Sequence, residues 1–319
     1  MSQTSLYTIA QRNDSDGYLG LTEDFTQYSP EFYQIPAVAR AGTTFKSLIR
    51  TSLPTAQFRL ANQALTGQSS TYKQTIHEMF YLDIPIVVDE MVYKADDGVT
   101  GDLLYQEAQG GLQSAINYIG NQTWYGTVND ANGFYGIRQQ LLPTGSAITP
   151  VSASNSNSSS TAYGLWLNPQ GVAFNVGKYG EISFPSFVRQ FVTTGASNAG
   201  STAAGYWAYV TNIASFIGLS VVSTYSVFGV TGCQGTGGAT LTDKLAQVLV
   251  ATVPLTRRAG FSWFMNRTVH GGLQSSRTSI NYQPAGAANG TPAWSPPPLM
   301  LEGYPIILTD AITNTENNT

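Results

Sequence analysis

Two histidines, His77 and His270, and one cysteine, Cys233, stand in a chain of 319 residues. A histidine base needs a nucleophile within reach and a third group to orient it. His77 is followed by Glu78, the opening of the zinc-protease helix motif, but that motif needs a second His where Tyr81 stands. His270 precedes Gly271-Gly272 and reads as a cation at a helix end. There is no G-x-S-x-G nucleophile elbow and no G-x-x-x-x-G-K-[ST] phosphate loop. A lone cysteine excludes an intrachain disulfide and a cysteine zinc site.

The remaining chemical candidates fail on spacing. Gly232-Cys233-Gln234-Gly235-Thr236-Gly237-Gly238 could cradle a phosphate, but the third glycine of the dinucleotide fingerprint is replaced by Thr240. It reads as a strand-to-helix connection. Asp83, Asp89, Glu90, Asp96 and Asp97 lack the alternating offsets of a calcium loop, and one strand cannot set two carboxylates across a cleft. They read as a strand end and a helix N-terminus, where negative charge is favoured. Sequons such as Asn121 and Asn289 are expected by chance in so Asn- and Ser-rich a chain, and no signal-peptide pattern supports their use. The sequence implies no catalytic residue, no cofactor and no metal, hence no enzyme.

Charged residues make up 11% of the chain, against about 25% in an ordinary soluble domain. Ser, Thr, Asn, Gln and Gly replace them, beside 18 Tyr, 14 Phe and 5 Trp. Few Lys and Glu with many aromatics is the composition of a protein interface. The net charge of -4 argues against a basic sequence-reading nucleic-acid domain. The most apolar stretch, Ile213 to Val222, falls far short of the ~20 residues of a membrane span. The expectation is a soluble, cytoplasmically made chain without a membrane partner.

The elements follow from pattern. Residues 1–45 read as an irregular arm with Phe25, Tyr28, Phe32 and Tyr33, aromatics suited to a neighbouring subunit. Residues 46–84 read as a long hairpin. Phe58 and Leu60 lie on its outgoing limb, Tyr72 on its return limb, and Leu65 and Gly67 at its polar turn. Ile84 to Val92 reads as a buried strand. Thr100 is the candidate N-cap of a helix over 100–123, whose Leu104, Ala108, Leu112, Ile116 and Ile119 form one stripe. Residues 139–161 are low in complexity and read as a flexible connection. Strands are expected over 162–176, with a Pro169 turn, and over 206–210 and 219–230. Thr240 opens a second helix that ends at Pro254, and Asn266 caps a short third helix. Tyr304 to Leu308 reads as the last strand. The order of elements makes the fold class α+β.

The order of landmarks carries a resemblance. FYLDIPIVVDEMV (80–92) precedes the long helix, followed by WYG (124–126) and FYGI (134–137). Then come YVTNIASFIGLSVVSTYSVFGV (209–230), WFMNRTV (263–269) and LEGYPIILTDAITNTE (301–316). Over about Ser47 to Glu316 the chain resembles the major capsid proteins of tailed bacteriophages with the HK97-like fold. The order of its parts is similar to the short-tailed epsilon15 and Bordetella-phage branch.

The resemblance implies an N-terminal arm (1–45), an extended loop (46–84) and a peripheral domain with a spine helix (85–138). It further implies a flexible connection (139–161), peripheral strands in permuted order (162–231) and an axial domain (232–319). The permuted strands would pack on the helix and replace those that the common pattern places after the LxGYP segment. The arm would begin almost at Met1, without a preceding scaffolding segment. The implied function is a subunit that assembles into hexamers and pentamers of an icosahedral shell around double-stranded DNA. It would be made in the host cytoplasm and partnered by itself, scaffolding, portal and cement proteins. The rival readings are a virion decoration or tail-associated binding protein and, more remotely, a hydrolase. Intersubunit candidates are Phe25, Tyr28, Phe32, Tyr33, Phe58, Leu60, Leu65, Gly67 and Tyr72. Arg12, Arg40, Lys46 and Arg50 are candidates for non-specific contact with packaged DNA by charge alone.

Overall fold

The computed structural model describes residues 5–13, 21, 23–98, 101–141, 159–177, 185–194, 204–223, 225–234, 239–277 and 299–316. The described part of the arm is more regular than its composition suggests. It carries helices α1 (Leu6–Asn13) and α2 (Glu31–Gln34) and strand β1 (Ala37–Ala39). Ile9 of α1 is buried among Val92, Leu103 and Ile213, so this part of the arm packs on its own subunit.

Among the described residues, strands β2 (Thr44–Ser52) and β3 (Thr71–Glu78) pair only with each other, in the expected hairpin. Strand β4 (Phe80–Asp89) stops short of Val92. Asp89 Oδ1 accepts the Met91 N–H at 2.7 Å and caps helix α3 (Glu90–Ala95). The long helix α4 (Leu103–Tyr125) is capped by Asp102, whose Oδ1 accepts the Leu104 N–H at 3.0 Å. Thr100 lies outside the described residues. The short helix α5 (Ile137–Leu141) follows.

Downstream strands divide between two sheets. Strand β5 (Ser160–Trp166) and strand β6 (Val172–Val176) flank the expected Pro169 turn, which the Gly171 N–H closes onto Asn168 O at 2.7 Å. Strand β7 (Val188–Thr194) precedes β8 (Ala204–Val221), one continuous strand of 18 residues where two were expected. Strand β9 (Val227–Cys233) and helix α6 (Asp243–Thr252) follow. Thr242, rather than Thr240, caps α6, its hydroxyl accepting the Leu245 N–H at 3.4 Å. Strand β10 (Phe261–Met265) leads to helix α7 (Arg267–Arg277), where Asn266 Oδ1 accepts the Val269 N–H at 2.9 Å as expected. Strands β11 (Met300–Leu301) and β12 (Tyr304–Leu308) close the chain.

The first sheet runs β1-β6-β8-β4, with β7 also on β8; the second runs β11-β12-β10-β5-β9. The strands of 162–231, expected to pack on the long helix, therefore enter both sheets. Strands β6 and β8 do join β4, but β5 pairs with β10 and β9. Every position of β5 is buried, so it is covered on both faces, and its local pattern carries no sign of which sheet it enters.

Helix α4 bridges the two sheets. A Cβ on Gly111 would lie 2.7 Å from Ile86 Cδ1 and 3.2 Å from Ile213 Cδ1, so the missing side chain lets the helix close onto β4 and β8. At the other end the Trp124 ring lies 4.8 Å from Tyr163 on β5 and 5.6 Å from Phe264 on β10. The shared core holds Ile119, Trp124, Phe174, Leu219, Val227 and Phe264. A second core lies between α6, α7 and the second sheet, around Leu249, Trp263 and Val269. Most of connection 139–161 and the glycine-rich loop 235–238 lie outside the described residues.

Candidate assembly surface

The hairpin is anchored at its root. The Met79 N–H donates to Thr43 O at 2.8 Å, closing the base where β3 turns into β4. His77 lies in this root, stacked on Phe45 at 4.8 Å with its Nε2 3.0 Å from Ser47 Oγ. Burial lowers the imidazole's pKa, which favours the neutral ring. His77 is thus a packing residue of the hairpin base.

Beyond the root the hairpin has little to lean on. Residues 53–70 form no strand, and their turn lies at 60–63 rather than around Gly67. Gln63 N–H donates to Leu60 O at 3.2 Å, Gln63 Oε1 accepts the Leu60 N–H at 3.2 Å, and Asn62 adopts φ 67°. Phe58 and Leu60, expected on a strand limb, instead approach this turn. Phe58 is 107% exposed and Leu60 78%, and Leu48, Leu53, Leu65, Tyr72 and Ile76 are also exposed. Gly67 has nothing within 4 Å of where a Cβ would stand. Burying a Phe or Leu side chain is worth ~1.5–3 kcal/mol, which this element forgoes in the lone subunit.

A cleft of about 790 Å³ separates hairpin and body. Ile49, Arg50 and Lys73 line it on one side, and Phe134, Leu219 and Arg257 on the other.

The arm divides its aromatics. Phe25, Tyr28 and Tyr33 are exposed, whereas Phe32 turns inward against Phe174 at 6.5 Å and supports its own core. The cationic candidates also divide. Arg12 donates to Gln106 Oε1 at 2.7 Å and lies 3.5 Å from Asp96 Oδ1, so its charge is committed within the subunit. The Arg40 guanidinium lies 4.8 Å from the Phe45 ring and that of Arg50 5.5 Å from Tyr72. Lys46 and Arg50 are exposed on β2.

The acidic group is structural. Asp83 accepts from Asn212 Nδ2 at 2.7 Å, and Asp89 caps α3. Glu90 is held by Arg189 at 2.8 Å and Lys94 at 2.7 Å, which lowers its pKa. Burial pushes the Cys233 thiol up to about 12, so it has no thiolate character at neutral pH. Among the described residues no group of three His, Cys, Asp or Glu could hold a metal ion.

Two buried carboxyl groups escaped the sequence reading. Glu31 accepts from Trp124 Nε1 at 2.7 Å and from the Thr309 hydroxyl. Glu316 accepts from the Tyr125 and Tyr163 hydroxyls at 2.9 and 3.2 Å, with Arg138 4.0 Å away. Together they fasten the segment 309–316 to the arm and to the end of α4. The only local sign was Glu31 within Pro30-Glu-Phe-Tyr, an acid among bulky neighbours.

The family model described as major capsid protein GP7 matches residues 26–319. A chain in the near-atomic structure of bacteriophage epsilon15 superposes with a TM-score of 0.73 at 18% identity, covering 99% of this chain and 97% of that one. A chain of Mycobacterium phage Adephagia gives a TM-score of 0.49 at 14% identity, covering 72% of this chain and 98% of its own. The capsid of bacteriophage JBD30 gives 0.47 at 11% identity, covering 92% and 97%. A search of curated proteins found no match.

Proposed function

The chain belongs to the GP7 family of major capsid proteins and has the HK97-like capsid fold; from that premise we propose how its subunits join. It is a structural subunit of a capsid shell built from copies of itself. In our reading the copies form hexamers and pentamers of an icosahedral shell, and the β2–β3 hairpin overlaps a neighbour in each. The exposure of Phe58 and Leu60 on an element that, among the described residues, pairs with no other strand carries this reading. Hydrophobic side chains placed so far from any core gain their burial only from a second molecule.

The hairpin would then be the extended loop, α4 the spine helix, the first sheet the peripheral layer, and α6, α7 and the second sheet the axial layer. Phe25, Tyr28, Tyr33, Leu65 and Tyr72 would join Phe58 and Leu60 in contacts between subunits. Lys46 and Arg50, with Arg40, would face packaged double-stranded DNA without reading its sequence. Assembly would take place in the host bacterial cytoplasm with scaffolding, portal and cement proteins as partners. The subunit's role needs no catalytic group. Negative-stain electron microscopy of the purified protein tests this: shells, tubes or capsomers are expected, and a homogeneous population of monomers at every concentration would contradict it.

A further inference from the structure

The arm and the C-terminal segment meet at a carboxyl group that, among the described residues, has no cation beside it. Glu31 is 0% exposed on α2. The hydrogen bonds from Trp124 Nε1 and the Thr309 hydroxyl both go to Oε1. Its Oε2 is buried without a hydrogen-bond partner, and so is the Ser29 hydroxyl. The two orphaned oxygens approach the same point over α4. A Cβ on Gly120 would lie 3.0 Å from Glu31 Oε2 and 2.9 Å from Ser29 Oγ.

The charge facing this site from the C-terminal segment is another carboxylate, Asp310. Asp310 Oδ2 accepts the Tyr28 N–H at 3.0 Å and lies 2.5 Å from Arg267 Nη2, which also donates to Thr26 O. An ionised Glu31 would leave one oxygen unsolvated in the interior with a like charge nearby. A neutral acid places its proton on the otherwise unused oxygen, toward Ser29.

We propose that Glu31 is a proton-operated catch on the N-terminal arm: as a neutral acid it holds residues 29–35 against Trp124 and Thr309, and losing its proton releases them. Burial foremost, and Asp310 to a lesser degree, push the group above the usual carboxylate range, while the bonds from Thr309, Trp124 and its own backbone N–H pull the other way. The sign follows from linkage. A group whose closed-state pKa is raised stabilises the closed arm fully below its ordinary value, and that stability is lost as pH rises through the closed-state value. Within that window each pH unit raises the opening equilibrium about tenfold, and above it the opening no longer changes. The catch belongs to the single subunit and stands whether or not the hairpin reading is correct.

Hydrogen exchange of the full-length protein from about pH 4 to about pH 9, corrected for the chemical exchange rate, tests it. The reporters are the amides of Tyr33, Gln34 and Ile35, which donate to the carbonyls of Pro30 and Glu31. Wild-type protection there should fall with rising pH by about tenfold per unit within the window, while the α4 amides stay protected. Glu31→Gln keeps an acceptor for Trp124 and supplies an amide N–H toward Ser29, so its profile should be flat. Asp310→Asn removes the neighbouring charge, so its window should end at lower pH and the total fall in protection should be smaller than in the wild type. A flat wild-type profile, a pH response retained in Glu31→Gln, or an unshifted Asp310→Asn profile would overturn the proposal.

Discussion

The backbone of Gly218 runs so close to the hairpin root that a Cβ there would stand 2.3 Å from the carbonyl oxygen of Glu78. It would also stand 3.1 Å from Met79 Cα. Strand β8 thus braces the joint from which the hairpin departs, and only a glycine allows that approach. Gly218→Ala should destabilise the subunit by about 1–3 kcal/mol, the usual cost of forcing atoms into a packed site. Gly67→Ala, in open space, should stay within about 0.5 kcal/mol. Denaturant unfolding of both variants reads the difference; equal midpoints would show that the joint yields freely.

Deleting Gln63–Ser70 removes residues that contribute nothing to the three buried clusters. The shortened protein should keep wild-type circular dichroism and a thermal midpoint within a few degrees. It should also fail to form shells. Normal shells from the deletion would show that this stretch makes no contact needed between subunits.

Some capsids of this fold weld subunits through a Lys–Asn isopeptide bond at the extended loop. Here no Lys lies between Arg59 and Lys73, and the loop over 53–70 has none. Particles boiled in detergent should release a single band at 34.2 kDa. A ladder of covalent multimers would show a cross-link through a lysine elsewhere.

Tyr163→Phe removes one of the hydroxyls that hold the Glu316 carboxyl, beside those of Tyr125 and Thr161. The cost should be about 1–2 kcal/mol, the range between a neutral hydrogen bond and one to a charged group. Burial, the largest influence on Glu316, already raises its pKa, and losing a donor raises it further. Stability from this group is fully present below its ordinary value and lost as pH rises through the folded value. The variant should therefore lose stability over a wider span of rising pH than the wild type. Urea midpoints that fall in parallel for the two proteins would contradict this.

Local pattern made much of this fold legible. The stripe of α4 (save Leu112, which is exposed), the Asn266 cap and the hairpin at 46–84 each rest on near neighbours in sequence. The division of strands did not show, because β5 finds β9 and β10 far along the chain and is buried on both faces. Val92 looked like strand because its apolar run continues from β4, and only the Asp89 cap breaks the run. The arm aromatics looked alike in sequence, yet Phe32 packs inward beside exposed Tyr33. Glu31 was overlooked because its partners, Trp124 and Thr309, lie far along the chain.

The most direct test of the shell reading is a cryo-electron microscopy map of particles assembled from this chain, resolved to side chains. Phe58 and Leu60 should lie against an adjacent subunit, with most of their present exposure lost. Closed shells in which both side chains point into solvent would contradict the account.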